Sequence, residues 1–179
     1  MPPSLFFSFR DGKPLTRQQH APSQPPKKII QKNSDTLTQR GMERWEVGDI
    51  ASKVGQLYYN YYLRTSEARF LHESYVFYEA IRTRAYFAAA ATDPNLAIKQ
   101  LRYFARFIIV CLLLNRRDEV QQLLQEFQAL VTAYGMKFRA PDAGEWRAVV
   151  QEVSAFLAAD VALPAARGLG SAADRKSVV

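Results

Sequence analysis

Histidine, cysteine and paired carboxylates do most of the chemistry available to side chains near neutral pH. This sequence supplies only two histidines and one cysteine in 179 residues. His20 sits in a proline-rich stretch, and His72 stands beside Glu73 with no cysteine or second histidine near it. A two-histidine metal site or a Ser-His-Asp arrangement would have to be assembled from remote parts of the chain, and no spacing points to either. The eight glycines are scattered singly, so the sequence contains no phosphate-cradling loop. Glu67, Glu73, Glu79 and Glu126 could act as acids, but on helices shared with Arg64, Arg69, Arg82 and Arg84 they read as surface ion pairs worth roughly a few tenths of a kcal/mol each. The expectation is a protein with no enzymatic activity, no cofactor, no metal and no small-molecule substrate.

One set of cations stands apart. Arg102 and Arg106 are four residues apart and so share a helix face, with Lys99 a turn earlier, and the three run into the most apolar part of the sequence. A basic stripe that borders buried surface can receive acidic or phosphorylated segments of a protein partner. The same side chains can instead lie along the domain rim and pair with glutamates of neighbouring helices. Lys99, Arg102 and Arg106 are therefore the candidate partner-binding residues, with both roles open.

The net charge of +7 is unevenly placed. Residues 1 to 42 carry seven Lys/Arg against two Asp/Glu, residues 43 to 160 carry fourteen against fourteen, and residues 161 to 179 carry three against one. A basic chain ordinarily points to nucleic acid, but here the excess lies on the flanks, so direct nucleic-acid binding by the central part is not expected. Cys111 is a single cysteine within Phe107-Ile108-Ile109-Val110-Cys111-Leu112-Leu113-Leu114, which rules out an internal disulfide and fits the cytosol or nucleus. That eight-residue run is far shorter than the ~20 apolar residues of a membrane span. Residues 1 to 40 hold six of the nine prolines and show no helical or strand period, so they read as a disordered basic segment.

The elements that must position the basic stripe follow from a period of about 3.6 residues. Four tyrosines, Tyr58, Tyr59, Tyr61 and Tyr62, occur within five positions of a first helix from Glu43 to about Thr65. Its apolar stripe is Val47, Ile50, Val54, Leu57 and Tyr61 or Tyr62, and Tyr59 and Tyr61 are expected to leave apolar surface bare. A second helix places Leu71, Tyr75, Tyr78, Ile81 and Ala85 on one face. Asp93 as cap and Pro94 in the first turn start a third, with Leu101, Phe104, Ala105, Ile108, Cys111 and Leu112 running to Asn115. Asp118 caps a fourth that Gly135 stops, and a fifth follows Pro141 with Trp146, Val149, Val150, Val153, Phe156 and Leu157. The fold class is all-α: antiparallel helix pairs in a tetratricopeptide-like array of about five helices. The likeness to that repeat rests on Gly55, Tyr58, Phe77 and Ala80, with a loop too long for a standard unit. The expected core includes Tyr58, Tyr62, Phe104, Ile108, Leu112, Leu123, Phe127 and Phe156.

Three blocks together carry a family likeness. They are Arg44-Trp45-Glu46-Val47-Gly48-Asp49 through Glu67, then Leu101-Arg102-Tyr103-Phe104-Ala105-Arg106 through Asn115, and Glu145-Trp146 leading to Gln151-Glu152-Val153 with Phe156 and Asp160. Over residues 40 to 160 the chain resembles the suppressor of cancer cell invasion (SCAI) family. The resemblance implies a non-enzymatic nuclear transcriptional corepressor, which acts by binding myocardin-related transcription factor and serum response factor and has a link to DNA double-strand-break repair. A cytoplasmic helical-repeat adaptor is the alternative that the residues alone permit. Residues 41 to 160 then read as a helical SCAI-like domain, a fragment of a longer one. Residues 161 to 179 read as a disordered tail, and one encoding of Asp174-Arg175-Lys176-Ser177-Val178-Val179 resembles a sequencing adapter, so an artefactual origin and a chance match are both open.

Overall fold

The computed structural model describes residue 34 and residues 36 to 169. Of the disordered segment expected over 1 to 40, residues 1 to 33 and 35 lie outside the described residues, whereas 36 to 39 are helical and Ser34 is buried with its Oγ 2.6 Å from Tyr86 OH. The described chain is all-α: α1 (Arg44–Thr65), α2 (Ala68–Thr83), a short 3-10 helix (Ala88–Ala91), α3 (Pro94–Leu113), α4 (Arg117–Phe138) and α5 (Ala143–Leu169). It divides at Arg117 into two compact units, the first holding α1 to α3 and the second α4 and α5. None of the described helices is long and apolar enough to cross a membrane.

In the first unit, α1 begins where the backbone N–H of Glu43 donates to Glu46 Oε2 at 2.9 Å, half of a reciprocal cap. It ends at Ser66, whose φ of 55° reverses the chain while its N–H bonds Tyr62 O at 2.8 Å. Adjacent helices pack antiparallel. The face of α1 laid on its neighbours is not the expected stripe of large residues. Gly48, Ala51, Ser52 and Gly55 are buried there with Val47 and Tyr58, whereas Ile50 and Leu57 are exposed and Val54 and Tyr62 are half-buried. Small residues win because they let backbones approach. A Cβ on Gly48 would lie 2.7 Å from Tyr86 Cβ, and one on Gly55 would lie 3.1 Å from Tyr78 Cε1. Tyr58 lies against Phe77 with ring centroids 5.6 Å apart, so Gly55, Tyr58 and Phe77 of the repeat-like pattern do meet.

On α2, Leu71, Tyr75, Tyr78 and Ile81 are buried as their spacing predicts, and Phe70 and Phe77 join them. Ala85 does not: it lies beyond the helix end with φ 50° and is exposed. α3 starts as expected, with Asp93 Oδ1 accepting from Asn95 N at 2.8 Å and Pro94 in the first turn. It buries Tyr103, Phe107 and Val110 beside Leu101, Phe104, Ile108 and Cys111. Tyr103 and Phe107 pack on Tyr78 at 6.0 and 5.9 Å between centroids, and Phe87 closes on Tyr103 at 5.8 Å. Leu112 is half-buried rather than part of the core: it lies at the flank of the buried sector, near the end of α3.

In the second unit, α4 buries Val120, Leu123, Phe127, Val131 and Tyr134. It starts at Arg117, which puts Asp118 in its first turn, and it passes through Gly135 to Phe138. Gly135 serves close approach instead of termination: a Cβ there would sit 3.3 Å from Ala143 Cβ. Arg139 takes the left-handed position, φ 46°. Asp142 ties the turn, accepting from Tyr134 OH and from Trp146 Nε1, each at 3.0 Å. Val150 and Val153 of α5 are buried, but Phe156 is 56% exposed and is not core. It stands roughly a quarter-turn away from the stripe of Trp146, Val150 and Val153. The boundary set at 160 falls inside α5, whose backbone stays helical to Leu169.

Candidate functional site

The three candidate cations share one face of α3 but meet different surroundings. Lys99 Nζ lies 3.3 Å from Asp49 Oδ2 on α1 and 4.6 Å from the ring centroid of Trp45. Asp49 Oδ2 also holds Lys53 at 3.1 Å, so a single carboxylate faces two ammonium groups. With Lys99 and Asp49 both mostly covered, this pair and the ring contact tie α3 to α1, each contributing about 1 kcal/mol at most. Arg106 is half-buried, and its charge acts on the Tyr78 phenol. Burial pushes that phenol above the ordinary tyrosine range, and the guanidinium offsets part of the rise. Arg102, between the two in sequence, is exposed. The stripe thus splits into two side chains engaged with the first unit's interior and one presented to solvent.

Two features of this surface were missed in the sequence. The first is a polar knot around Tyr86. Its hydroxyl lies 2.6 Å from Ser34 Oγ and accepts from Arg84 Nη1 at 3.0 Å, while Arg44 Nη2 donates to Arg84 O at 2.6 Å. Nothing in the spacing of Ser34, Arg44 and Tyr86 signals that they meet. The second is the apolar line Ile50, Val54, Leu57 and Tyr61 on α1, read as core but with Ile50 and Leu57 exposed. The carboxylates include one in an unusual setting: Glu73 Oε2 is buried without a hydrogen-bond partner, and its pKa is raised by that burial, with His72 acting in the opposite direction. His72 itself is exposed, its Nδ1 2.9 Å from Ala68 O. Among the described residues, no three of His, Cys, Asp and Glu converge closely enough to hold a metal ion.

Comparison with known proteins assigns this arrangement to a lineage. The family model described as Protein SCAI matches residues 27–175. The chain belongs to the SCAI family. The match is wider at both ends than the likeness over 40 to 160, and it contains the basic stripe of α3, the tyrosine-rich α1 and the α4–α5 unit. Protein SCAI of Homo sapiens and that of Mus musculus are each 48% identical to the chain over 136 residues, covering 74% of it and 22% of their own length. The Protein SCAI homolog of Dictyostelium discoideum is 53% identical over 122 residues, which are 67% of this chain and 16% of that one. The chain therefore spans about a fifth of the length of the curated relatives it matches. No solved structure matches it.

Proposed function

We propose that this SCAI-family chain is part of a non-enzymatic nuclear corepressor that works by docking segments of transcription factors, or of their coactivators, against a helical surface. Family membership carries the reading: the family model covers residues 27–175. The geometry supports the docking half of it. α1 to α3 form a scaffold whose outer faces carry both an exposed guanidinium, Arg102, and exposed apolar side chains. A helical face bordered by cations is suited to acidic or phosphorylated partner segments. Lys99 and Arg106 flank Arg102 on the same face of α3, with Lys99 tied to Asp49 of α1.

Affinity purification of the full-length protein from nuclear extract, beside an Arg102→Glu variant, tests both halves. Recovery of transcription factors by the native protein, reduced roughly tenfold or more by the charge reversal, is the expected result. A full-length protein that stays in the cytoplasm and recovers neither transcription nor repair factors would establish the adaptor function instead. Nuclear recovery unaffected by Arg102→Glu would keep the corepressor role and move its docking surface elsewhere.

A further inference from the structure

α1 is covered on only part of its circumference. Gly48, Ala51, Ser52 and Gly55 face inward, and Trp45 and Asp49 meet Lys99 of α3. At about 100° per residue, the remaining sector holds Ile50, Val54, Leu57 and Tyr61 in one line, with Glu46, Lys53, Asn60 and Arg64 along one edge. Ile50 and Leu57 are 42% and 41% exposed, although their side chains are as apolar as those of the core. Tyr61 ends the line with its ring on Phe70, 5.5 Å between centroids.

The spacing of this line, four then three then four, is the same in both directions. A two-fold axis perpendicular to α1 therefore sets Val54 opposite a second copy's Leu57, and Ile50 opposite its Tyr61. The same rotation keeps the polar edge on one side while reversing its order, which carries Glu46 at the start of one helix to Arg64 at the end of the other. Parallel pairing would instead put the two polar edges on opposite sides of the seam, so that Glu46 and Arg64 do not meet. Lys53, midway along the edge, has its charge met by its own Asp49 at 3.1 Å. We propose that α1 pairs antiparallel with α1 of a second copy of this chain through Ile50, Val54, Leu57 and Tyr61, with a Glu46 to Arg64 ion pair at each end. Such an interface is isologous and closes on itself, so it yields a dimer and not a filament. Four apolar side chains per copy form a small patch, in the size class of weak, transient interfaces.

Sedimentation of the full chain from about 1 to 100 µM should show a monomer passing into a dimer. Leu57→Glu should raise the dissociation constant roughly tenfold or more, because a carboxylate would then be desolvated at the centre of the pair. Its thermal melt by circular dichroism should stay close to that of the native chain, since Leu57 lies outside the core and Glu is a good helix former. Register is tested by oxidising a mixture of Val54→Cys and Leu57→Cys chains, which should crosslink to each other in preference to themselves. A monomer at every concentration would assign the face to another occupant, such as a helix of a longer family chain, and would overturn the proposal. So would a dimer insensitive to Leu57→Glu, or one in which Val54→Cys links mainly to itself.

Discussion

Tyr78 is, with Tyr103, one of the largest fully buried side chains of the first unit; its hydroxyl and Ser74 Oγ, one turn away, make no well-formed hydrogen bond among the described residues, although Ser74 lies close enough to lower the phenol's pKa. Removing an unsatisfied buried hydroxyl relieves a desolvation cost and leaves the ring contacts with Tyr103 and Phe107 in place. Tyr78→Phe is therefore expected to be neutral or to stabilise by about 1 kcal/mol, measured by denaturant unfolding. A loss of more than ~1 kcal/mol would show that the hydroxyl is bonded, through a buried water for example. Glu73 offers a test with a pH sign. Burial raises its pKa in the folded state, the Coulomb effect of His72 partly opposing, so the folded chain favours the protonated acid. Its contribution to stability is full below the unfolded value of about 4.3 and is lost as pH rises through the higher folded value. Glu73→Gln should thus raise the melting temperature at pH 7 and have little effect at pH ~4. The opposite order would mean that the carboxylate is stabilised as an anion. Neither Tyr78 nor Glu73 could be singled out from sequence, because both look like ordinary positions on an amphipathic helix and only the packed neighbours make them unusual.

Among the elements, α1 comes close to its neighbours at two glycines: Gly48 lies against Tyr86 and Phe87, just beyond the end of α2, and Gly55 lies against Phe77 and Tyr78 of α2. A Gly-to-Ala change in a helix interior gains about 1 kcal/mol of propensity. At Gly48 the added methyl would lie 2.7 Å from Tyr86 Cβ, an atom fixed close to the backbone, so α1 would have to move outward. Gly48→Ala should destabilise by roughly 1 to 3 kcal/mol net, seen as a lower midpoint in urea. An unchanged or higher midpoint would mean that α1 and Tyr86 do not meet there. The helix order and the start of α3 were legible because apolar period and caps are local signals, Asp93 with Pro94 above all, whereas Asp118, read as a cap, lies in the first turn of α4. The face on which α1 packs was not legible. Hydrophobic size argued for Ile50, Val54 and Leu57, whereas close packing selected Gly48, Ala51, Ser52 and Gly55, and a sequence read by hydrophobicity gives small residues no weight. The same bias turned Gly135 into an expected stop when its role is to admit Ala143. Of the candidate site, the placement of Lys99, Arg102 and Arg106 on one helix was legible from their spacing. Which of them turns inward was not, since that depends on Asp49 and Trp45, fifty residues or more away in sequence.

At the scale of the whole molecule, charge is the property most open to misreading. A sequence pI of about 9.6 invites a nucleic-acid function, yet residues 43 to 160, which contain α1 to α4 and most of α5, carry equal numbers of acidic and basic side chains. Several of those bases are engaged within the fold: Lys53 and Lys99 with Asp49, Arg69 with Glu67, and Arg116 with the ring of Tyr75 at 4.0 Å. Binding to duplex DNA rests on phosphate neutralisation, and each contact contributes a slope of about −0.9 in log affinity against log salt. The helical part offers no concentrated source of such contacts, while Lys27, Lys28 and Lys32 cluster on the amino-terminal flank. The full chain is therefore expected to bind duplex DNA weakly at about 50 mM salt and hardly at all at 200 mM. Replacing Lys27, Lys28 and Lys32 together by Ala should remove most of the residual binding, and replacing Arg102 and Arg106 by Ala should leave the salt slope unchanged within about one unit. Filter binding over that salt range decides the matter. If the Arg102 and Arg106 replacements flatten the slope while the lysine replacements do not, the basic stripe of α3 contacts phosphate, and its assignment to acidic protein segments is wrong.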